Sequence, residues 1–432
     1  MSLGDDFKTF IEGLVPDNIE TLETTVGEIA KKLNNNYYGL DGEKSEHMYI
    51  VGSVGRGTAV KGVSDLDILF DLPSSVYKKY NDYESNGQSQ LLQEVKNILK
   101  ERYPKTKMSG DGQVVVVEFT NYTVELVPGF RQSDDSFKYP DTHDSGSWKT
   151  TNPLPEIEEC STMATDTDNN FTYICYLLRA WKNKIGFKFG GLLIDSLVYK
   201  FLNENESYKS IKFDGYFDMV KALFEFLKGL NKEQSYWYAL GSNQKVYNCD
   251  DGKFVDEAEN AYNLISTYNG TEADVNSKLS EILGSDFPQS TTIALSEFAI
   301  NSRKTEQFIK NMFAVDIRYN LKIDCEVKQS GFRVDFLRNM LKKRYPLMRN
   351  CSLIFEIKSC TVPDLESCDI YWKVKNQGPE ALRRNQIRGQ IIKTNKTKQV
   401  ENTQFIGPHY VECYIVKNNV CIARDRIDVP IE

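Results

Sequence analysis

Residues Val51 to Asp71 read VGSVGRGTAVKGVSDLDILFD, and this stretch decides the fold. Tyr49-Ile50-Val51 is an apolar run that predicts a buried strand. A small-residue turn, Gly52-Ser53, follows, and then a short segment containing Gly55 and Gly57. A second strand is predicted from about Leu66 and carries Asp65 and Asp67. Strand residues i and i+2 face the same side, so the two carboxylates project together beside a turn with backbone N–H groups to offer. Adjacent carboxylates repel unless a cation lies between them. Phosphates take N–H donors and magnesium takes hard oxygens, so the stretch holds the minimum needed to handle a nucleotide.

Outward from this stretch the periodicity alternates between helix and strand. Residues ~5 to 36 predict two helices separated at Pro16-Asp17, the second with Leu22, Val26, Ile29 and Leu33 on one face. Leu91, Leu92, Val95, Ile98 and Leu99 predict a further helix ending at Tyr103-Pro104. Val114 to Phe119 and Thr123 to Val127 read as strands around the turn at Asn121-Tyr122. Residues 131–160, rich in Asp, Ser, Thr and Pro, read as a long irregular segment. From Asn169 the chain reads as helical, with a turn-rich break over Tyr236 to Val246 and helices resuming from Val255 to about Met312. Around Asp316 short apolar runs begin to alternate with turns. They predict an antiparallel sandwich, preceded by a basic helix over Asp335 to Tyr345. The fold class expected is α+β. It comprises a mixed sheet flanked by helices over 1–165, a helical lobe over 166–315 and a C-terminal β-sandwich-like domain over 316–432.

The 432 residues suit roughly two to three domains, and 40% hydrophobic residues suffice for sizeable cores. No run approaches the ~20 apolar residues of a membrane span. The N-terminus, MSLGDDFKTF, lacks a basic segment followed by an apolar one, and nine cysteines show no close CxxC pair. A cytoplasmic protein with reduced thiols and no membrane partner is expected. The net charge of −8 is uneven: from Arg318 onward the chain carries 21 basic and 13 acidic residues, so the acidic excess lies wholly before it. An acidic body argues against sequence-independent duplex binding and gives no sign of a nucleic-acid activator. Cys360 and Cys368, Cys413 and Cys421, and the scattered His47, His143 and His409 lack the spacing of a zinc site.

Two-metal nucleotidyl transfer wants a third carboxylate near the pair. Glu125, in YTVELVPGF, sits on a strand that could lie beside the Asp65/Asp67 strand, and Glu118 is its rival across the hairpin. Spacing alone does not decide between them. Gly52-Ser53, Asp65-x-Asp67 and Glu125-Leu126-Val127-Pro128 together resemble the DNA polymerase β-like nucleotidyltransferase superfamily. GSVGRGTAV and SDLDILF look like the branch of 2′-5′ oligoadenylate synthetases and cyclic GMP–AMP synthase. QSQLLQEVK, DGQVVVVEF, KYPDT with Trp148, LLRAWK and GGLLIDSLVYKFL look like its bacterial (DncV-like, SMODS-type) members. The resemblance covers residues ~5 to 310. It departs from the pattern at Glu125, where the branch commonly has aspartate.

The resemblance implies a polymerase β-like fold and condensation of ATP and/or GTP into a cyclic di- or trinucleotide in anti-phage defence, with a downstream effector activated by the product. It implies two Mg2+ ions, with Mn2+ as a substitute, held by Asp65, Asp67 and Glu125. Gly52 and Ser53 would meet the phosphates. Arg179 and Lys182 lie three apart on the helix predicted over 169–184, off its apolar face, where basic residues are ordinarily solvated. The family's matching helix contributes cations to the triphosphate, Arg179 matching better than Lys182. Tyr236, Trp237 and Tyr238 are core filler or a stacking platform, with Ser242, Asn243 and Gln244 as candidate base contacts. The C-terminal region resembles the adenylyl/guanylyl sensor domain of some members, through Tyr371 to Val374, Asn376-x-Gly378, Arg384 to Gly389 and Gly407 to Glu412. Within it, Trp372 and His409 are expected to be packed core. Conjugation through a C-terminal glycine, known in some relatives, is not expected from an ending of Ile431-Glu432. The competing readings are a linear 2′-5′ oligoadenylate-type synthetase and a non-catalytic nucleotide-binding regulator.

Overall fold

In the computed structural model, which describes residues 2–43, 45–289, 306–329 and 331–432, the elements of the opening stretch lie in one mixed sheet. Helices α1 (Leu3–Glu12) and α2 (Ile19–Tyr38) precede β1 (Met48–Ile50), the single turn α3 (Gly52–Gly55) and β2 (Asp65–Asp71). Helices α4 (Ser74–Asn81) and α5 (Gly87–Arg102) follow. Then come β3 (Lys107–Asp111), β4 (Val114–Glu118), β5 (Thr123–Arg131), β6 (Phe137–Asp141) and β7 (Ser147–Thr151). The sheet order is β1-β2-β5-β4-β3, with β6 and β7 added through β5. Only the β2–β5 pair is parallel; the others are antiparallel. The two helices and the β3–β4 hairpin between β2 and β5 give the chain the length a parallel return requires.

One face of this sheet is the core. Leu66, Ile68 and Phe70 of β2, Val124 and Leu126 of β5, and Val115 and Val117 of β4 pack with Leu22, Ile29 and Leu33 of α2 and Leu91, Val95 and Leu99 of α5. Each such aliphatic side chain, fully buried, contributes about 1.5–3 kcal/mol. On the opposite face Asp65, Asp67 and Glu125 precede a small second cluster in which Leu69 packs with Val51, Val127 and Phe137. The segment 131–160 is ordered, correcting the irregular reading: β6 and β7 pair over it, and helix α6 (Pro153–Asp166) follows. Trp148 packs on Tyr77 and Phe130 there, with ring centroids 4.9 and 5.6 Å apart.

Helices α7 (Asn170–Ile185), α8 (Gly191–Glu204) and α9 (Tyr216–Lys228) are where periodicity predicts them. The turn-rich break is a hairpin of β8 (Tyr236–Tyr238) and β9 (Lys245–Tyr247). Helices α10 (Lys253–Ser266) and α11 (Glu272–Leu283) come next. The remainder of the helical run expected up to Met312 lies partly outside the described residues. Among those described, the chain ends that run in a 3-10 turn at Ile309–Asn311.

The chain forms two compact units, Met1–Ala180 with Gly190–Tyr262, and Trp181–Phe189 with Asn263–Glu432. Trp181–Phe189 thus lies in the same unit as the C-terminal residues. That unit is a sandwich of two sheets. One is ordered β10 (Ala314–Val315), β18 (Val420–Ile431), β17 (Gly407–Lys417), β14 (Asp369–Lys375), β15 (Arg388–Lys393). The other is ordered β12 (Asp335–Phe336), β11 (Leu321–Lys328), β13 (Ser352–Cys360), β16 (Lys398–Asn402). Ile323, Cys325, Phe355, Trp372, Cys413, Ile415, Ile422 and Ile427 fill its core. The β10–β18 pair is parallel, so the sandwich is not wholly antiparallel. The basic helix is shorter than read, Leu337–Lys342. Among the described residues no helix is long and apolar enough to cross a membrane, and all nine cysteines are free thiols.

Candidate active site

Strand periodicity delivers the carboxylates. Leu66 and Ile68 point into the core, so Asp65 and Asp67 share the other face of β2 and are half-buried. β5 runs parallel to β2, with Thr123 opposite Asp65 and Glu125 opposite Asp67. Neighbouring strands lie about 4.8 Å apart, and Val124 and Leu126 face the core, so Glu125 stands beside Asp67. Glu118 ends β4 opposite Thr123 and is ion-paired to the exposed Lys107 at 2.8 Å. The register thus brings Glu125, rather than Glu118, next to Asp67.

The turn before α3 is fitted to the same carboxylate. The Val51 amide donates to the Asp67 carbonyl at 2.9 Å. Gly52 has φ +62°, and a Cβ there would collide with the Asp67 side chain, whose carboxyl carbon lies 2.7 Å away. Only glycine both adopts this backbone and permits the approach. The first-turn amides of α3, those of Gly52, Ser53 and Val54, have no intrahelical carbonyl to bind. Farther on, the chain is folded back on itself: the Thr58 and Ala59 amides both donate to the Ser53 carbonyl, at 2.9 and 3.1 Å.

Among the described residues, no group of three or more His, Cys, Asp or Glu stands close enough to form a ready metal cage. Magnesium at nucleotide sites is held by one or two carboxylates, substrate phosphates and water rather than by an all-protein cage. Asp65 and Asp67, at i and i+2, offer two such carboxylates beside the glycine turn.

Arg179 and Lys182, expected either as cations for the triphosphate or as solvated surface residues, are buried. Arg179 is only 5% exposed. Its Nη1 donates to Asp195 Oδ1 at 2.7 Å and its Nη2 to Asp195 Oδ2 at 3.0 Å. Lys182 is 7% exposed and donates to Asp316 Oδ1 at 3.0 Å and to the Ile317 carbonyl at 2.9 Å, within the C-terminal unit. Each cation is matched to a carboxylate of its own unit, which leaves neither as the free surface cation that the helix spacing suggested.

The candidate base contacts part company. Ser242 donates to Glu156 Oε1 at 2.8 Å, and the Gln244 amide nitrogen donates to Ser242 Oγ at 3.3 Å. Asn243, in the left-handed region at φ +54°, lines an open cavity of about 870 Å³ with Tyr199, Lys200, Tyr236 and Tyr238. Gln244 is not part of that lining, and its Nε2 is buried without a hydrogen-bond partner among the described residues. Trp237 is core, stacked edge-on against Phe254, while Tyr238 is 59% exposed. In the C-terminal unit Trp372 and His409 are packed core. Trp372 Nε1 donates to the Lys396 carbonyl at 2.8 Å, and His409 Nδ1 accepts from the Gln377 amide at 3.1 Å.

Sequence reasoning missed Asp195, Arg56 and Thr58. Arg56 Nε and Thr58 Oγ1 each donate to Asp195 Oδ2 at 2.9 Å. Asp195 is fully buried. Burial would raise its carboxyl, but Arg179 and Arg56 outweigh that and hold it at about 2. Glu156, nearby, is pushed up by burial, which the Ser242 hydroxyl and Arg56 only partly oppose. The available signal was a lone aspartate on the apolar face of LLIDSLV, since an unpaired charge is not buried there.

Residues 1–163 match a family model described as the Second Messenger Oligonucleotide or Dinucleotide Synthetase domain. Residues 303–432 match one described as the Adenylyl/Guanylyl and SMODS C-terminal sensor domain. Among solved structures, the chain is similar to E. coli MS115-1 CdnC in a complex with HORMA-deltaN, at 16% identity and TM-score 0.51, over 66% of this chain and 98% of that one. It is similar to the same CdnC with ATP, at 15% identity and TM-score 0.51 over the same shares. The Vibrio cholerae DncV cyclic AMP-GMP synthase aligns at 13% identity and TM-score 0.44, over 67% of this chain and 88% of that one. At such identities the CdnC structures establish a shared fold. No curated protein matches the sequence.

Proposed function

We propose that this chain, a bacterial nucleotidyltransferase of the second-messenger oligonucleotide synthetase group with that group's C-terminal sensor domain, joins ATP and/or GTP into a cyclic di- or trinucleotide. The product would act on a downstream effector in antiviral, anti-phage defence. The observation that carries the reading is the parallel register setting Glu125 beside Asp67, with Asp65 on the same face and the glycine turn pressed against Asp67.

Each transfer forms one phosphodiester. A ribose hydroxyl oxygen bonds to an α-phosphorus, the bond to the β-phosphate oxygen breaks, pyrophosphate leaves and the hydroxyl proton is given up. Asp65, Asp67 and Glu125 would hold magnesium, with manganese as a substitute. When bound, the metal neutralises charge on the triphosphate and lowers the pKa of the acceptor hydroxyl. Gly52 and Ser53 present backbone N–H groups and a hydroxyl to the phosphates, and the Gly52 turn fixes where the triphosphate lies relative to Asp67. Glu125, beside Asp67, would help take up the hydroxyl proton. Asn243, Tyr236 and Tyr238 offer a polar and aromatic cavity wall of the kind on which a base stacks.

The test is incubation of the purified chain with all four ribonucleoside triphosphates and Mg2+, followed by phosphatase treatment and chromatography. A phosphatase-resistant product, absent with Asp67→Ala and with chelator, is expected. A linear product redirects the reading to an oligoadenylate-type synthetase. Triphosphate binding without pyrophosphate release redirects it to a regulator.

A further inference from the structure

The carboxylate of Asp195 is the hub of a buried cluster that reaches the glycine turn. It lies on α8, 137 residues beyond Thr58 in sequence, and is fully buried. Its Oδ2 accepts from Thr58 Oγ1 and from Arg56 Nε, both at 2.9 Å. Its Oδ1 accepts from Arg179 Nη1 at 2.7 Å, and Arg179 Nη2 donates to Thr58 Oγ1 at 3.0 Å and to the Gly191 carbonyl at 3.2 Å. Thr58 is fully buried. Its amide, with that of Ala59, donates to the Ser53 carbonyl, while the Arg56 amide donates to the Gly52 carbonyl at 3.1 Å. The Gly52 and Ser53 carbonyls are therefore tied, through Arg56 and Thr58, to one buried carboxylate. Local sequence does not fix such a glycine-rich segment, because Gly52, Gly55 and Gly57 give it large conformational freedom.

We propose that Asp195 is a positioning residue for nucleotide binding: through Thr58 and Arg56 it sets where Gly52 and Ser53 stand beside Asp67. This rests on the nucleotidyl-transfer reading above. Asp195 itself is buried behind the turn and touches no substrate. Its partners act on the backbone that does, so its loss weakens triphosphate binding more than it slows the bond-making step.

Removing the Asp195 carboxylate would leave two guanidiniums buried without a counter-charge, and that variant can fail to fold. The decisive variant is Thr58→Val, which keeps shape and leaves both arginines on Asp195, with Thr58→Ser as the conservative rescue. The measurements are affinity for a magnesium-bound, non-hydrolysable ATP analogue, KM and kcat for pyrophosphate release, and amide hydrogen exchange across residues 52–59. The expected result for Thr58→Val is about tenfold weaker binding and higher KM, the range of a lost hydrogen bond to a charged group, with kcat within about threefold. Exchange quickens at the Thr58 and Ala59 amides, not in β2 or β5, and Thr58→Ser restores both readouts. Wild-type affinity, KM and exchange in a Thr58→Val protein whose Tm has fallen would overturn the proposal and leave the cluster purely structural. A wild-type chain that neither binds the analogue nor releases pyrophosphate overturns the nucleotidyl-transfer reading and this one together.

Discussion

Asp67 meets two demands at once. Its main-chain carbonyl receives the Val51 amide and its side chain limits what can stand at position 52. Two predictions belong at this scale. Asp67→Ala should leave the Tm within a few degrees, because the residue lies on the non-core face of β2, and should lower product formation on the order of 10³-fold or more by high-resolution chromatography. Gly52→Ala should cost about 1–2 kcal/mol for its left-handed backbone. It should also push the Asp67 carboxylate aside, lowering kcat/KM by about a hundredfold, as misplacement of about 1 Å does. A third prediction concerns acid. The Asp195 carboxyl sits at about 2, below its usual 3.8, so its pairing stabilises the fold above that usual value and is lost as pH falls through about 2. The Tm gap between wild type and Asp195→Asn should be wide at pH 6 and narrow at pH 2, as followed by circular dichroism.

At the scale of elements, the β2–β5 pair joins stability to the site. Its inward residues hold the sheet on α2 and α5 while its outward residues hold the carboxylates. Leu126→Ala should therefore cost about 2–5 kcal/mol in chemical denaturation. Glu118→Gln, by contrast, loses only an exposed ion pair worth about 0–1 kcal/mol and should leave product yield unchanged. A large loss of product in Glu118→Gln would return that residue to the site. These elements were legible because β2, β4 and β5 are rich in β-branched and apolar residues at period two. β7, SWKTT, carries no apolar alternation and exists by pairing with β6, so composition marked it as irregular. β8 and β9 are three residues each, too short to show a period.

In the whole molecule, Trp181–Phe189 belongs with the C-terminal unit although residues 190–262 separate it from the rest of that unit. Asn183 shows why. Its Nδ2 donates to the Val315 carbonyl at 2.9 Å and its Oδ1 accepts from the Ile317 amide at 3.0 Å, taking the place of a strand partner. Lys182 supplies one of the two cations facing the Asp316 carboxylate, with Arg318 the other. A fragment of residues 303–432, the span of the sensor-domain match, should therefore unfold at a lower temperature than the same unit in the full chain. Adding a peptide of residues 181–189 should raise its Tm; no shift in calorimetry would count against this pairing.

The shared face of Asp65 and Asp67, the glycine turn before them and the sandwich after them were all legible along the chain. These are consequences of strand period and turn chemistry, which act within a few residues. The folded chain sets Glu125 opposite Asp67 and Glu118 opposite Thr123, because strand order and register join segments that sequence spacing leaves independent. Only it decided the fate of two basic residues three apart on one helix. Whether a cation is solvated or buried depends on which carboxylate the rest of the fold delivers to it. For Arg179 that is Asp195, sixteen residues on, and for Lys182 it is Asp316, 134 residues on.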